Sequence, residues 1–173
     1  MDHPMTNQIT NHVDNPMITQ LMNDLELAER AVKVFNQSAK KTQLLLDKAI
    51  VSPLTDDERE TLEALTARYG RALDFLTQKL LRTIDRIELT DDGSVLDRIN
   101  RFKKRKVLRD DINYAVLKDL RNQIVHEYII DETDRVVIEV LNFTTLITEM
   151  FLKAKEYCHT KGFLTLRSKP HDS

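Results

Sequence analysis

The sequence is most informative first in what it is short of. Its single cysteine, Cys158, has no partner for an internal disulfide and no second thiol for a zinc site, an expectation that points to a reducing, cytoplasmic setting. With only 3 Gly and 4 Pro in 173 residues, turns are few and uninterrupted segments must be long, which argues against a many-stranded sandwich. No apolar run approaches the length needed to span a bilayer. The start, MDHPMTNQITNHVDNP, has neither the basic beginning nor the apolar stretch of a secretory signal. A net charge of −2 supplies no global attraction to nucleic acid or anionic lipid, so any such pull must be local. There is no Gly-rich phosphate loop, no Ser-His-Asp pattern, no paired-carboxylate constellation and no clustered ligand set for a metal. The expectation is a soluble protein that needs neither cofactor nor metal.

What is present is helical periodicity. Residues 1–16 are polar and aperiodic and read as a mobile leader, with Asn15-Pro16 opening a helix. From Met17 to about residue 51, Leu21, Leu25, Ala28, Val32, Phe35 and Ala39 recur on one face, and Ser52-Pro53 closes the segment. Thr55 and Glu58 form a capping box for a second helix running to about Glu88. The turn TDDGS (90–94) precedes a shorter helix from Val95 to about Lys106. A fourth helix is expected over about 111–130 and a fifth over about 134–160, with Gly162 just past its end and 163–173 a tail. The cluster Val136, Val137, Ile138, Val140 has strand propensity, but no other segment offers a pairing partner, so helix is expected. The sum is one all-α domain over 17–162, an antiparallel up-and-down bundle of about five helices.

The fourth helix carries the segment Leu120-Arg121-Asn122-Gln123-Ile124-Val125-His126-Glu127-Tyr128. At about 100° per residue, Leu117, Leu120, Ile124 and Tyr128 share an apolar stripe and Asp119, Asn122 and His126 a polar one nearly opposite. Arg121 falls between them, about 140° from His126 on an ideal helix, so helix distortion or a second copy of the helix must bring the two together. The pattern Arg121-x4-His126-x-Tyr128 resembles the Arg-x4-6-His motif of the HEPN domains (higher eukaryotes and prokaryotes nucleotide-binding). It is most similar to the Arg-x4-His-x-Tyr form of HepT-like toxins, and the polar residue after the arginine, Asn122, agrees with that form. Helix number and motif placement extend the resemblance over about residues 20–160.

The resemblance implies a helical homodimer whose two motif helices face each other across a cleft, acting as a metal-independent endoribonuclease. It also implies pairing with a minimal nucleotidyltransferase antitoxin that silences the toxin by attaching AMP to the motif tyrosine, here Tyr128, and a transfer RNA as one candidate substrate. The residue chemistry is compatible. Cleavage by a ribose 2′-hydroxyl needs a base, an acid and positive charge at the phosphorane. Histidine titrates near neutrality and serves in either proton role, and the arginine fork suits the phosphate. His126 would be base or acid, Arg121 the clamp and Asn122 a positioning group. A two-fold dimer would bring a second His126 and Arg121 into one cleft.

Plainer readings stand beside these. Arg121 could pair on the surface with Glu127 or Asp119, and Tyr128 could be a packed tyrosine with its hydroxyl at the rim. The run RINRFKKRKVLR (98–109) holds seven basic residues, Arg98, Arg101, Lys103, Lys104, Arg105, Lys106 and Arg109, and no acidic one. It reads either as a guide for RNA backbone, Arg101 to Lys106 above all, or as a solvated helix end balanced by nearby acids. Phe102 within it reads as a base-stacking face or a core contact. A non-catalytic nucleotide-binding subunit of a nucleotidyltransferase, or a purely structural helical adaptor, are the rival functions.

Overall fold

A computed structural model describes residues 15–126 and 133–164. Among these residues the chain is all-helical and strand-free. Most of the expected leader and tail, together with Tyr128, lie outside the described residues.

Helix α1, Pro16–Ala49, starts where the Asn15 side chain accepts a hydrogen bond from the Met17 amide at 2.9 Å, with proline in the first turn. Its periodic face, Leu21 through Ala39, is buried. Helix α2, Asp56–Asp74, opens with the expected capping box: the Thr55 amide donates to Glu58 and the Glu58 amide to the Thr55 hydroxyl. The second helix is not uniform, however. Phe75–Leu80 widens into a π-helical segment before α3, Leu81–Ile87, resumes, a feature hydrophobic periodicity does not encode.

A second capping box, Ser94 with Asp97, opens α4, Val95–Lys104. Helix α5, Tyr114–His126, begins three residues later than expected, because Asn113 caps it by accepting from the Ala115 amide at 3.1 Å. The expected fifth helix is two: α6, Thr133–Asn142, and α7, Thr144–Thr160, interrupted at Phe143 (φ −90°, ψ 0°). The β-branched cluster is helical, with Val136, Val137 and Val140 turned into the core and Ile138 exposed. Burial of one helical face outweighs strand propensity where no partner strand exists. Gly162 (φ +71°) closes α7: its amide reaches the His159 carbonyl and the Phe163 amide the Cys158 carbonyl.

Helix α2 packs against α1, α5 and α6, while α7 lies on α1 and α6. Tyr69, fully buried, sits at the middle of this arrangement. Its ring lies between Phe35 and Phe143 at centroid distances of 5.9 and 6.4 Å, and its hydroxyl donates to the Leu117 carbonyl at 2.9 Å. That bond ties α2 to α5 directly behind the motif. No helix among the described residues is long and apolar enough to cross a membrane.

Candidate active-site groove

Helix α5 buries Leu117 and Leu120, with Ile124 half-buried behind them, as its apolar stripe requires. Arg121 and Asn122 then face the end of α2 across a groove of about 700 Å³. Four cationic side chains line it, Arg71, Lys79, Lys118 and Arg121, against a single carboxylate, Asp74. In a protein of net charge −2 this is a local excess of positive charge in a concave wall, which concentrates anions.

Arg121 does not pair with Asp119, the partner expected on its own helix among the described residues. Its Nη2 lies 3.0 Å from Asp74 Oδ2, and Nη1 donates to the Asn122 side-chain oxygen at 3.4 Å. Gly70 on α2 lies beneath the arginine stem: a Cβ there would stand 3.5 Å from Arg121 Cγ. Both members of the ion pair keep roughly two-fifths of their side-chain surface in solvent (37% and 45%), so the pair is a weak one, about 1 kcal/mol or less. The π-helical segment supplies Phe75, Gln78 and Lys79 to the same groove; such widened turns recur at functional sites.

His126 is the last described residue of α5, and Tyr128 and Glu127 lie outside the described residues. Over Tyr114–His126 the helix is regular. Helix distortion between positions 121 and 126 therefore does not bring the arginine and histidine positions together.

The basic run is placed differently from a comb of free cations. Arg98, Arg101 and Arg105 converge on Asp85, whose side chain is fully buried. Arg101 Nη2 lies 2.7 Å and Arg105 Nη1 2.6 Å from its carboxylate oxygens, and Arg98 Nε 3.6 Å. Asp91 accepts from Arg82, Arg86 and Arg98. Desolvation alone would raise the Asp91 carboxyl, but these three hydrogen bonds outweigh it and hold the group down at about 2. Lys103 donates to the Asp110 and Ile112 carbonyls, Lys106 pairs with Asp110, and Arg109 with Asp111 and Glu149. Phe102 is fully buried and under the Arg105 guanidinium, a core contact rather than a stacking face. Only Lys104 of the run is exposed and without a carboxylate partner among the described residues. Arg101 and Arg105 are thus fold-holding ion-pair members, and the cations available to a ligand are elsewhere, on α2 and α5.

Sequence reading missed Arg71, Asp74, Lys79 and Lys118. Lys118 stands one turn before Arg121 on α5 itself, but Arg71, Asp74 and Lys79 are remote from the motif along the chain, and only packing against α5 collects them. Cys158 is buried on the inner face of α7, and burial pushes its thiol up to about 12, which leaves it inert. Among the described residues no cluster of three or more His, Cys, Asp or Glu side chains could hold a metal ion. No protein-family model, curated protein or solved structure matches the chain.

Proposed function

We propose that this chain is a metal-independent endoribonuclease of the HEPN type, the toxin of a HEPN/nucleotidyltransferase toxin–antitoxin pair, built as an antiparallel up-and-down bundle and working as a homodimer. The observation that carries the reading is the groove itself: Arg121 and Asn122, adjacent in the motif, open onto a pocket rimmed by Arg71, Lys79 and Lys118. Such a rim attracts a phosphodiester before any chemistry occurs.

In the reaction, Arg121 exchanges its Asp74 partner for the scissile phosphate, a charge-assisted and bidentate contact. His126 takes the 2′-hydroxyl proton or returns one to the 5′-oxygen, and Asn122 holds the imidazole or a phosphate oxygen. Since a regular helix keeps positions 121 and 126 about 140° apart, the second proton carrier and second guanidinium come from the partner subunit. Attack forms the 2′,3′-cyclic phosphate and breaks the bond to the 5′-oxygen, with proton transfers balanced by the two imidazoles. AMP attached to Tyr128 by the partner nucleotidyltransferase would put bulk and negative charge in the cleft and exclude RNA. Transfer RNA is the substrate the resemblance suggests.

The test incubates purified protein with RNA in EDTA beside a folded, dimeric His126→Ala variant. Cleavage leaving 2′,3′-cyclic ends, lost in the variant, is the expected result; full activity in the variant rejects the role of His126. RNA binding without cleavage by the native protein would instead favour the non-catalytic subunit, a reading to which the ready-made Arg121–Asp74 pair also lends itself. Intact mass after co-expression with a partner nucleotidyltransferase tests Tyr128, where an unmodified chain in a silenced complex refutes AMP transfer.

A further inference from the structure

A second groove adjoins the first on the other side of α2. It lies between α1 and α2 and encloses about 380 Å³. Its rim carries Arg30, Arg68 and Arg71, its floor is formed by Leu27, Val34 and Phe75, and no acidic residue lines it. Arg71 and Phe75 line both grooves, so the two adjoin at the α2–π junction. Arg68 is fixed in place by donating to the hydroxyl of Ser38 on α1 at 2.8 Å, a buried serine. Arg30 is exposed and, among the described residues, held only by Glu26 one turn earlier at 3.5 Å, a pair it can readily exchange. Among the described residues Arg71 is exposed and in no ion pair.

A guanidinium rim over an apolar and aromatic floor is the chemistry that recognises single-stranded nucleic acid, in which phosphates are bound at the edge and an unstacked base lies on the floor. Free phosphate would have no use for the floor, and a duplex would keep its bases hidden. From Arg68 to Lys79 the cationic face runs about 16 Å at 1.5 Å per residue, more than one phosphate occupies. We propose that the α1–α2 groove is a flanking subsite, which holds the nucleotide of single-stranded RNA next to the one in the motif groove. Arg71 is the phosphate contact shared by the two positions, and Phe75 supports the flanking base. The assignment rests on the ribonuclease reading for its direction along the strand, but its binding step is measurable without any cleavage.

The experiment measures fluorescence anisotropy of the full chain with a short single-stranded RNA whose 2′-hydroxyls are methylated, so that it cannot be cut, over a range of salt. The variants are Arg30→Ala with Arg68→Gln, the glutamine keeping a donor for Ser38, and separately Phe75→Leu. The double variant is expected to lose about tenfold in affinity and to lower the salt slope by about 1.4, the value for two lost phosphate contacts on a single strand. Phe75→Leu is expected to weaken binding several-fold with the slope unchanged, because stacking releases no counterions. Binding of a nucleoside monophosphate, which fills only the motif groove, stays the same in the double variant, because Arg30 and Arg68 line the α1–α2 groove alone.

Unchanged strand affinity and slope overturn the subsite. So does equal weakening of monophosphate and strand in the double variant, or a fall in solution mass that marks the groove as an interface between copies. Native protein that cuts ordinary RNA while the groove variants bind normally removes the subsite and leaves the nuclease. Native protein that binds the strand in this groove without ever cutting RNA does the reverse. Native protein that binds no RNA removes both.

Discussion

Replacing the buried Asp85 by alanine should destabilise this protein far more than the loss of any exposed carboxylate, and the structure indicates by how much. The carboxylate has no solvent exposure and receives Arg101 at 2.7 Å and Arg105 at 2.6 Å, with Arg98 at 3.6 Å and the Thr90 hydroxyl at 3.2 Å. Removing one member of a buried ion network leaves uncompensated charge, at a cost of about 3–5 kcal/mol. Arg101 and Arg105 keep some access to water and can partly resolvate, while Arg98 is buried but retains Asp91 at 3.1 Å. The loss should therefore lie near the lower bound, about 3 kcal/mol. For a domain of this size that lowers Tm by about 6–12 °C. Urea unfolding followed by circular dichroism at neutral pH reads it directly, with Asp92→Ala as the control. Asp92 also meets Arg101, but its side chain is 89% exposed, so its loss should stay within about 0.5 kcal/mol. An Asp85→Ala variant within about 1 kcal/mol of the native chain would refute the claim that these arginines hold the fold.

Three further outcomes follow from the same geometry. The Asp91 carboxyl is held at about 2, below its ordinary 3.8, so its contribution is complete above about pH 4 and lost as pH falls through about 2. An acid titration of stability should show Asp91→Asn converging with the native chain over that window, by at most about 2 kcal/mol after screening; parallel curves would contradict it. Asp74→Asn removes the one carboxylate of the motif groove. It should raise affinity for the non-cleavable RNA strand several-fold while changing stability by less than about 1 kcal/mol, and weaker binding would show that Asp74 positions Arg121 instead of competing with phosphate. Leu89 is 93% exposed and sits at φ +56° past the end of α3, so Leu89→Gly should raise the urea midpoint, with a gain of about 1 kcal/mol; a lower midpoint would refute the strain argument.

Much of the fold was legible because its signals are local. The Thr55–Glu58 box, the proline after Asn15 and the stripe from Leu21 to Ala39 each act through neighbours within a turn, and the structure uses all of them. What escaped depends on contacts between distant segments. The π turn at Phe75–Leu80 leaves every apolar residue on a plausible helical face, so periodicity is blind to it. The break at Phe143 falls where that ring stacks on Tyr69, a contact across 74 residues of chain. The motif was readable as three letters on one helix, but the groove was not. Arg71 and Asp74 come from α2 and Lys79 from the π turn after it, and nothing in the spacing of a surface arginine tells whether a carboxylate will meet it.

That last ambiguity explains how one chain distributes its arginines. The conspicuous cluster, residues 98–109, has its charges adjacent in sequence, yet its arginines can be drawn out of water only where acids are packed against them. Asp85, Asp91 and Glu88 do that, and their partners are thereby withdrawn from any ligand. The cations on α2, the π turn and α5 are scattered in sequence and need no such neutralisation, because each reaches water. Folding brings them together around a space instead of around a carboxylate. Arg121 is the exception, and its half-exposed pair with Asp74 is cheap to exchange. A phosphate entering the groove would find one arginine already aimed and several other cations unpaired among the described residues, so the charge that stabilises this fold and the charge that would bind a ligand are different sets of side chains.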